Sequence, residues 1–171
     1  MRVMKALPLD SSTALTSENL NHAFRLTVAG LVSRTQQFSL QDLRFNFNER
    51  SFDSRKTDRF SADEKSWRGC FLNELIEFVG VSGQAHYVEF VCSEPDPERA
   101  FSVPFAGLER QEIGLVWERN GESLSVEEGG PLLVLVPGLE GYRPLPGVSR
   151  INLVIIPCLT NRSDLGPALA A

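Results

Sequence analysis

Three cysteines, Cys70, Cys92 and Cys158, and two histidines, His22 and His86, are the residues of this chain best suited to holding a metal ion or serving as nucleophile or general base. Their spacing supports little of that chemistry. The cysteines are odd in number and show neither Cys-x-x-Cys spacing nor a histidine at zinc-site distance, which argues against a disulfide framework and a structural zinc. The histidines are far apart in sequence, with no third ligand in view. No Ser-His-Asp order, Gly-rich phosphate loop or Walker sequence occurs. Cys70 and Cys92 therefore read as reduced, buried thiols, Cys92 being in phase with Val88 and Phe90 on one strand face. Cys92 also ends its strand, next to the loop SEPDPER, of the kind that borders a pocket.

A second group with chemical potential is the stretch NFNERSFDSRKTDRFSADEKS, residues 46–66. Arg50, Arg55, Lys56 and Arg59 make it locally basic and suited to an anionic cofactor or an oxyanion. Glu49, Asp53, Asp58, Asp63 and Glu64 interleave with them, so a solvated, salt-bridged loop is the competing account. Trp67 and Trp117 are expected to bury against the core.

The elements that must position these residues follow from periodicity. Phe24, Leu26 and Val28 alternate with Arg25 and Thr27 as in a half-buried strand, and Gly30 marks a turn. Ser39 with Asp42 three residues later has the form of a capping box, predicting a short helix from Leu40 to about Arg44. FLNELIEFVG is an amphipathic helix with Gly80 just past its end. HYVEFVC, AFSVPF, IGLVWER, PLLVLVPG and VSRINLVIIP read as strands. Asn120-Gly121 is a two-residue hairpin signal, and the near-continuous apolar run PLLVLVPG predicts burial on both faces. Strands outnumber helices without a βαβ rhythm, so the class is α+β, a mixed β-sheet core with few short helices.

At 171 residues, 42% of them hydrophobic and 23% charged, the chain suits one domain. We place it at residues 23–157, between an N-terminal extension, 1–22, and a tail, 158–171. A formal charge of -5 and a pI near 5.1 tell against nucleic acid as a partner. The first residues form no apolar signal segment and no later stretch approaches a membrane span, which makes the cytoplasm the default compartment.

Three segments, in order, carry a family likeness: FRLTVAGLVSRTQQFSLQDL, WRGCFLNELIEFVGV and LVWERNGESLSVEEGGPLLVLVPGLEGYRPLPGVSRINL. Together they resemble the sulfite-oxidase-type molybdopterin-binding oxidoreductases. The resemblance implies a domain that buries a pyranopterin molybdenum cofactor and transfers two electrons and an oxygen atom, the protein positioning and tuning the cofactor. It assigns cofactor binding to Gly141, Tyr142 and Arg143, where glycine permits close backbone approach and arginine stands for the family's lysine as the phosphate-gripping cation. Arg55 of the basic stretch is a further cofactor-binding candidate; a surface turn with a solvated arginine is the alternative reading of Arg143. Pro144 and Pro146 depart from the family and remove two N–H donors.

The larger departure concerns the metal. The family's molybdenum-ligating cysteine should fall before the Trp-x-Gly element, yet Phe45 to Trp67 contains no cysteine, and only Ser51 and Ser54 lie near that position. A serine hydroxyl is a hard, weakly acidic ligand that does not reproduce thiolate chemistry. The expected function is thus a molybdopterin-binding, oxidoreductase-like domain without standard molybdenum catalysis, with molybdopterin but not molybdenum as cofactor. The alternative is a cofactor-free binding or interaction module of the same fold, and a third account takes the thiolate from Cys92. A pterin or small anion is the expected ligand. No catalytic residue, protein partner or substrate follows.

Overall fold

The alternation that opens the domain becomes strand β1 (Leu26–Gly30), with Leu26 and Val28 turned into the core. There follow β2 (Gln36–Phe38), α1 (Leu40–Asn46), β3 (Arg50–Asp53), β4 (Ser66–Phe71), α2 (Leu72–Val79), β5 (Tyr87–Cys92), β6 (Phe101–Pro104), a 3-10 turn (Leu108–Arg110), β7 (Gly114–Arg119), β8 (Glu122–Ser123), β9 (Leu133–Gly138), β10 (Gly141–Leu145) and β11 (Val148–Val154). This computed structural model describes residues 21–53, 66–92, 101–138 and 141–157. No helix among them is long and apolar enough to cross a membrane.

The strands form two sheets. One has five strands in the order β2-β1-β11-β5-β6 and is mixed, because β1 and β11 run parallel with Val28 opposite Ile151. The other has six, β10-β9-β7-β4-β3 with β8 beside β7, and its pairings are antiparallel. The α+β class is therefore realised, among the described residues, as two sheets with few short helices.

The main core takes Val28, Phe90, Ile151 and Leu153 from the first sheet, Leu115, Trp117 and Val134 from the second, and Leu40, Leu43, Leu75 and Ile76 from the helices. Each such aliphatic or phenyl side chain stabilises the fold by about 1.5–3 kcal/mol of transfer free energy. A smaller core, Phe52, Trp67, Val116, Leu124, Leu133 and Leu135, lies on the other face of the second sheet. Strand β9 serves both, Leu133 and Leu135 on one side and Val134 and Val136 on the other, as its unbroken apolar run predicts. Asn120 and Gly121, with φ of 53° and 84°, make the turn between β7 and β8.

Two expectations need correction. Residues 46–66 are not irregular throughout, because Arg50–Asp53 form edge strand β3 against β4. A strand this short shows only one inward apolar residue, Phe52, whose ring covers Gly114 of β7, where an added Cβ would approach it to 2.8 Å. The residues following Trp67 are also strand before they are helix: β4 runs to Phe71, which is the N-cap of α2.

At α1 the capping box forms as expected. Ser39 Oγ accepts from the Asp42 N–H at 3.1 Å, and the Asp42 carboxylate accepts from the Ser39 N–H at 2.8 Å. The Ser39 side chain and backbone, in that order, hold the Asp42 carboxyl below its ordinary value. A depressed carboxylate contributes stability above its unfolded pKa and loses it as pH falls through the folded one. Ser39→Ala should therefore lower unfolding free energy by about 1 kcal/mol at neutral pH. The deficit should shrink on acidification below the carboxylate range, which urea titrations at two pH values would check; a pH-independent deficit would contradict it.

Candidate functional site

The pairing of β4 with β7 slips by one residue. Gly69 lies opposite Val116 and Arg68 opposite Glu118, leaving Trp117 as the extra residue of a β-bulge. Trp117, like Leu115, lies in the main core, and Val116 between them in the smaller one, by the ordinary alternation of a strand. Arg44, in the last turn of α1, reaches this position. Its Nη2 donates to Glu118 Oε1 at 2.8 Å, and its guanidinium lies 5.9 Å from the centroid of the Trp117 ring. Beneath it, Trp117 is fully buried and its Nε1–H has no hydrogen-bond partner. A buried donor left unsatisfied costs about 1–3 kcal/mol.

A parallel arrangement occupies the opposite face of the sheet. Arg119 lies 5.7 Å over Trp67 and pairs with Glu128 at 2.9 Å, and Trp67 Nε1 is likewise without a partner. Glu128 closes a capping turn with Ser125, whose backbone N–H is the main cause of its lowered carboxyl pKa.

Around the start of β3, Glu74 of α2 accepts from the backbone and side-chain N–H groups of Asn48, at 3.0 and 3.3 Å. Arg50 leans on the same carboxylate at 4.0 Å and over the Phe71 ring at 5.8 Å. Glu49 pairs with Arg68 at 3.3 Å. The described part of the basic stretch is thus salt-bridged to α2 through Arg50 and to β4 through Glu49. Ser51 is exposed, opposite Arg68. Ser54, Arg55, Lys56 and Arg59 lie outside the described residues.

Gly141, Tyr142 and Arg143 form part of β10, paired with Gly138, Pro137 and Val136 of β9. The surface-turn alternative for this segment is thereby replaced by a strand; its side chains lie outside what is described. Strand β10 is one edge of the sheet and β3 the other, with β9, β7 and β4 between them. Four inter-strand steps separate the two edges by about 19 Å. The structure therefore does not bring the Gly-Tyr-Arg strand and Arg50 together. It gathers Arg44, Trp117 and Glu118 instead, a group that sequence reasoning missed because only folding sets the last turn of α1 against β7.

The cysteine chemistry can be tested against the cofactor the resemblance implies. Cys70 is fully buried in the main core, and burial, with a smaller contribution from the Glu74 charge, pushes its thiol up to about 12. It is unfit to supply a thiolate. Cys92 is half-buried at the end of β5, in the other sheet from β3. Among the described residues no group of three His, Cys, Asp or Glu side chains could hold a metal. The described donor set does not fit a molybdenum–thiolate centre at β3.

The fold matches a crystal structure of the sulfane dehydrogenase SoxCD from Paracoccus pantotrophus, with a TM-score of 0.62, 22% identity, and coverage of 78% of this chain and 39% of that one. That likeness bears on the fold, two sheets with few short helices. A family model, the oxidoreductase molybdopterin binding domain, matches residues 13–157, and the chain belongs to that family. It is 32% identical to sulfite oxidase of Arabidopsis thaliana over 102 residues, 52% of this chain and 26% of that protein. It is 28% identical over 148 residues, 78% of this chain and 44% of the other, to the protein-methionine-sulfoxide reductase catalytic subunit MsrP of Ralstonia nicotianae. Inducible nitrate reductase [NADH] 1 of Glycine max is 25% identical over 154 residues, 72% of this chain and 17% of that protein. The chain spans less than half the length of each of these relatives.

Proposed function

We propose that this molybdopterin-binding, oxidoreductase-like domain holds a pterin without carrying out standard molybdenum redox catalysis. One observation carries the reading: the interval from Phe45 to Trp67, which includes β3, contains no cysteine. It is supported by Cys70, whose thiol is locked in the core with its pKa near 12. A soft metal centre needs a thiolate that is both deprotonated and reachable, and Cys70 is neither. The residues proposed to hold the pterin phosphate are Gly141, Tyr142 and Arg143, with Arg55. Glycine admits the phosphate to the backbone and arginine offers two parallel donors to it.

The test is to purify the chain from a host that makes the cofactor, then measure bound molybdenum and the fluorescence of released, oxidised pterin. Pterin without stoichiometric metal is the expected result. Stoichiometric molybdenum overturns the reading, and its loss in Cys92→Ser would then identify the ligand. Neither metal nor pterin also overturns it, in favour of a cofactor-free binding module.

A further inference from the structure

The Arg44, Trp117 and Glu118 cluster combines three features that solvation of a surface charge does not explain. A bulge breaks the β4–β7 ladder at Trp117, the fully buried indole N–H has no acceptor, and a cation 39% exposed at its side chain lies over the ring. Bulges re-aim side chains at sites of function, and a buried donor without a partner is a place where a ligand oxygen gains a full hydrogen bond. The Arg119 and Trp67 cluster is built similarly, but there the paired carboxylate, Glu128, is also bound by the N–H and O–H of Ser125.

We infer that Arg44 is a gate over an oxyanion site. In the closed arrangement described above, its guanidinium is held by Glu118 and stacked on Trp117. Opening moves Arg44 off the carboxylate and turns its donors to a tetrahedral oxyanion of the phosphate class, whose second oxygen accepts from Trp117 Nε1. Guanidinium suits this exchange because its planar fork of donors fits a carboxylate and a phosphate equally well. Glu118 opposes the anion directly, and Arg68, opposite it on β4, is engaged by Glu49 at 3.3 Å. The resting site is therefore closed by charge as well as by shape. The inference needs no bound pterin and stands apart from the proposed function.

The full chain in a Trp67→Phe background leaves Trp117 as the only tryptophan. Sodium phosphate, titrated at constant ionic strength against sodium chloride, should produce a saturable change in its emission. Arg44→Ala should weaken phosphate binding by about tenfold or more, and Arg44→Lys, which keeps the charge without the fork, by less. Glu118→Gln should strengthen it several-fold, a gain that a purely structural ion pair would not yield. An emission change that merely tracks ionic strength, unaltered binding in Arg44→Ala, or weaker binding in Glu118→Gln would each overturn the gate. A phosphorylated pterin run alongside separates the sources: tighter binding than phosphate points to the cofactor's own phosphate, and equal binding to a free oxyanion.

Discussion

Gly69→Ala should destabilise the domain by upward of about 3 kcal/mol, a large fraction of the total for a protein of this size. An ideal Cβ at residue 69 would lie 1.9 Å from the Leu115 carbonyl oxygen and 2.8 Å from the Val116 Cα, both backbone atoms of β7. No rotamer change relieves a clash with backbone. The strands must part beside the bulge, with loss of ladder hydrogen bonds between the buried centres of the sheet. Gly83→Ala is the control, because nothing lies within 4 Å of its added Cβ; its effect should be within about 0.5 kcal/mol. Urea midpoints followed by far-ultraviolet circular dichroism would measure both, and comparable midpoints for the two variants would show that the close approach at Gly69 is not what the geometry says.

Trp117→Ala should cost about 3–5 kcal/mol, since it empties the place of a fully buried indole that packs in the main core and under Arg44. Trp117→Phe should cost much less, about 1 kcal/mol, because most of the volume remains and the N–H that is lost had no partner. The two variants thereby separate packing from hydrogen bonding. Thermal unfolding gives the stabilities, and calorimetric titration with phosphate gives the binding readout once the fluorophore is gone. The phenylalanine variant should stay folded while binding phosphate several-fold more weakly, since its ring offers the anion no donor. Equal destabilisation by both substitutions would mean that the indole N–H contributes in the folded state after all.

Much of the architecture was legible because it rests on local rules. The Ser39–Asp42 box, the amphipathic spacing from Leu72 to Val79 with Gly80 after it, and the positive φ at Asn120 and Gly121 are short-range features written in adjacent residues. So is the double burial of β9. The family likeness came from three ordered segments and extended the reading to cofactor class, which periodicity alone does not reach. The absence of cysteine before Trp67 is likewise plain from the sequence, and it remains the main support for a domain without the usual molybdenum chemistry.

What the sequence could not supply is every relation between residues distant along the chain. Strand β3 was hidden because a short edge strand stands on one inward side chain, and Phe52 finds its place only against Gly114, far along the chain in β7. The order β10-β9-β7-β4-β3 sets the Gly141–Arg143 strand and the Arg50 strand at opposite edges, a separation no spacing rule encodes. The three groups that opened this reading, cysteines, histidines and a basic loop, were chosen by residue type. Tertiary structure adds a group that residue type did not bring together, Arg44, Trp117 and Glu118, because folding sets the last turn of α1 against β7. Composition and pattern determine which elements form and which faces they bury; register decides which side chains meet, since it depends on partners that only the folded chain brings together.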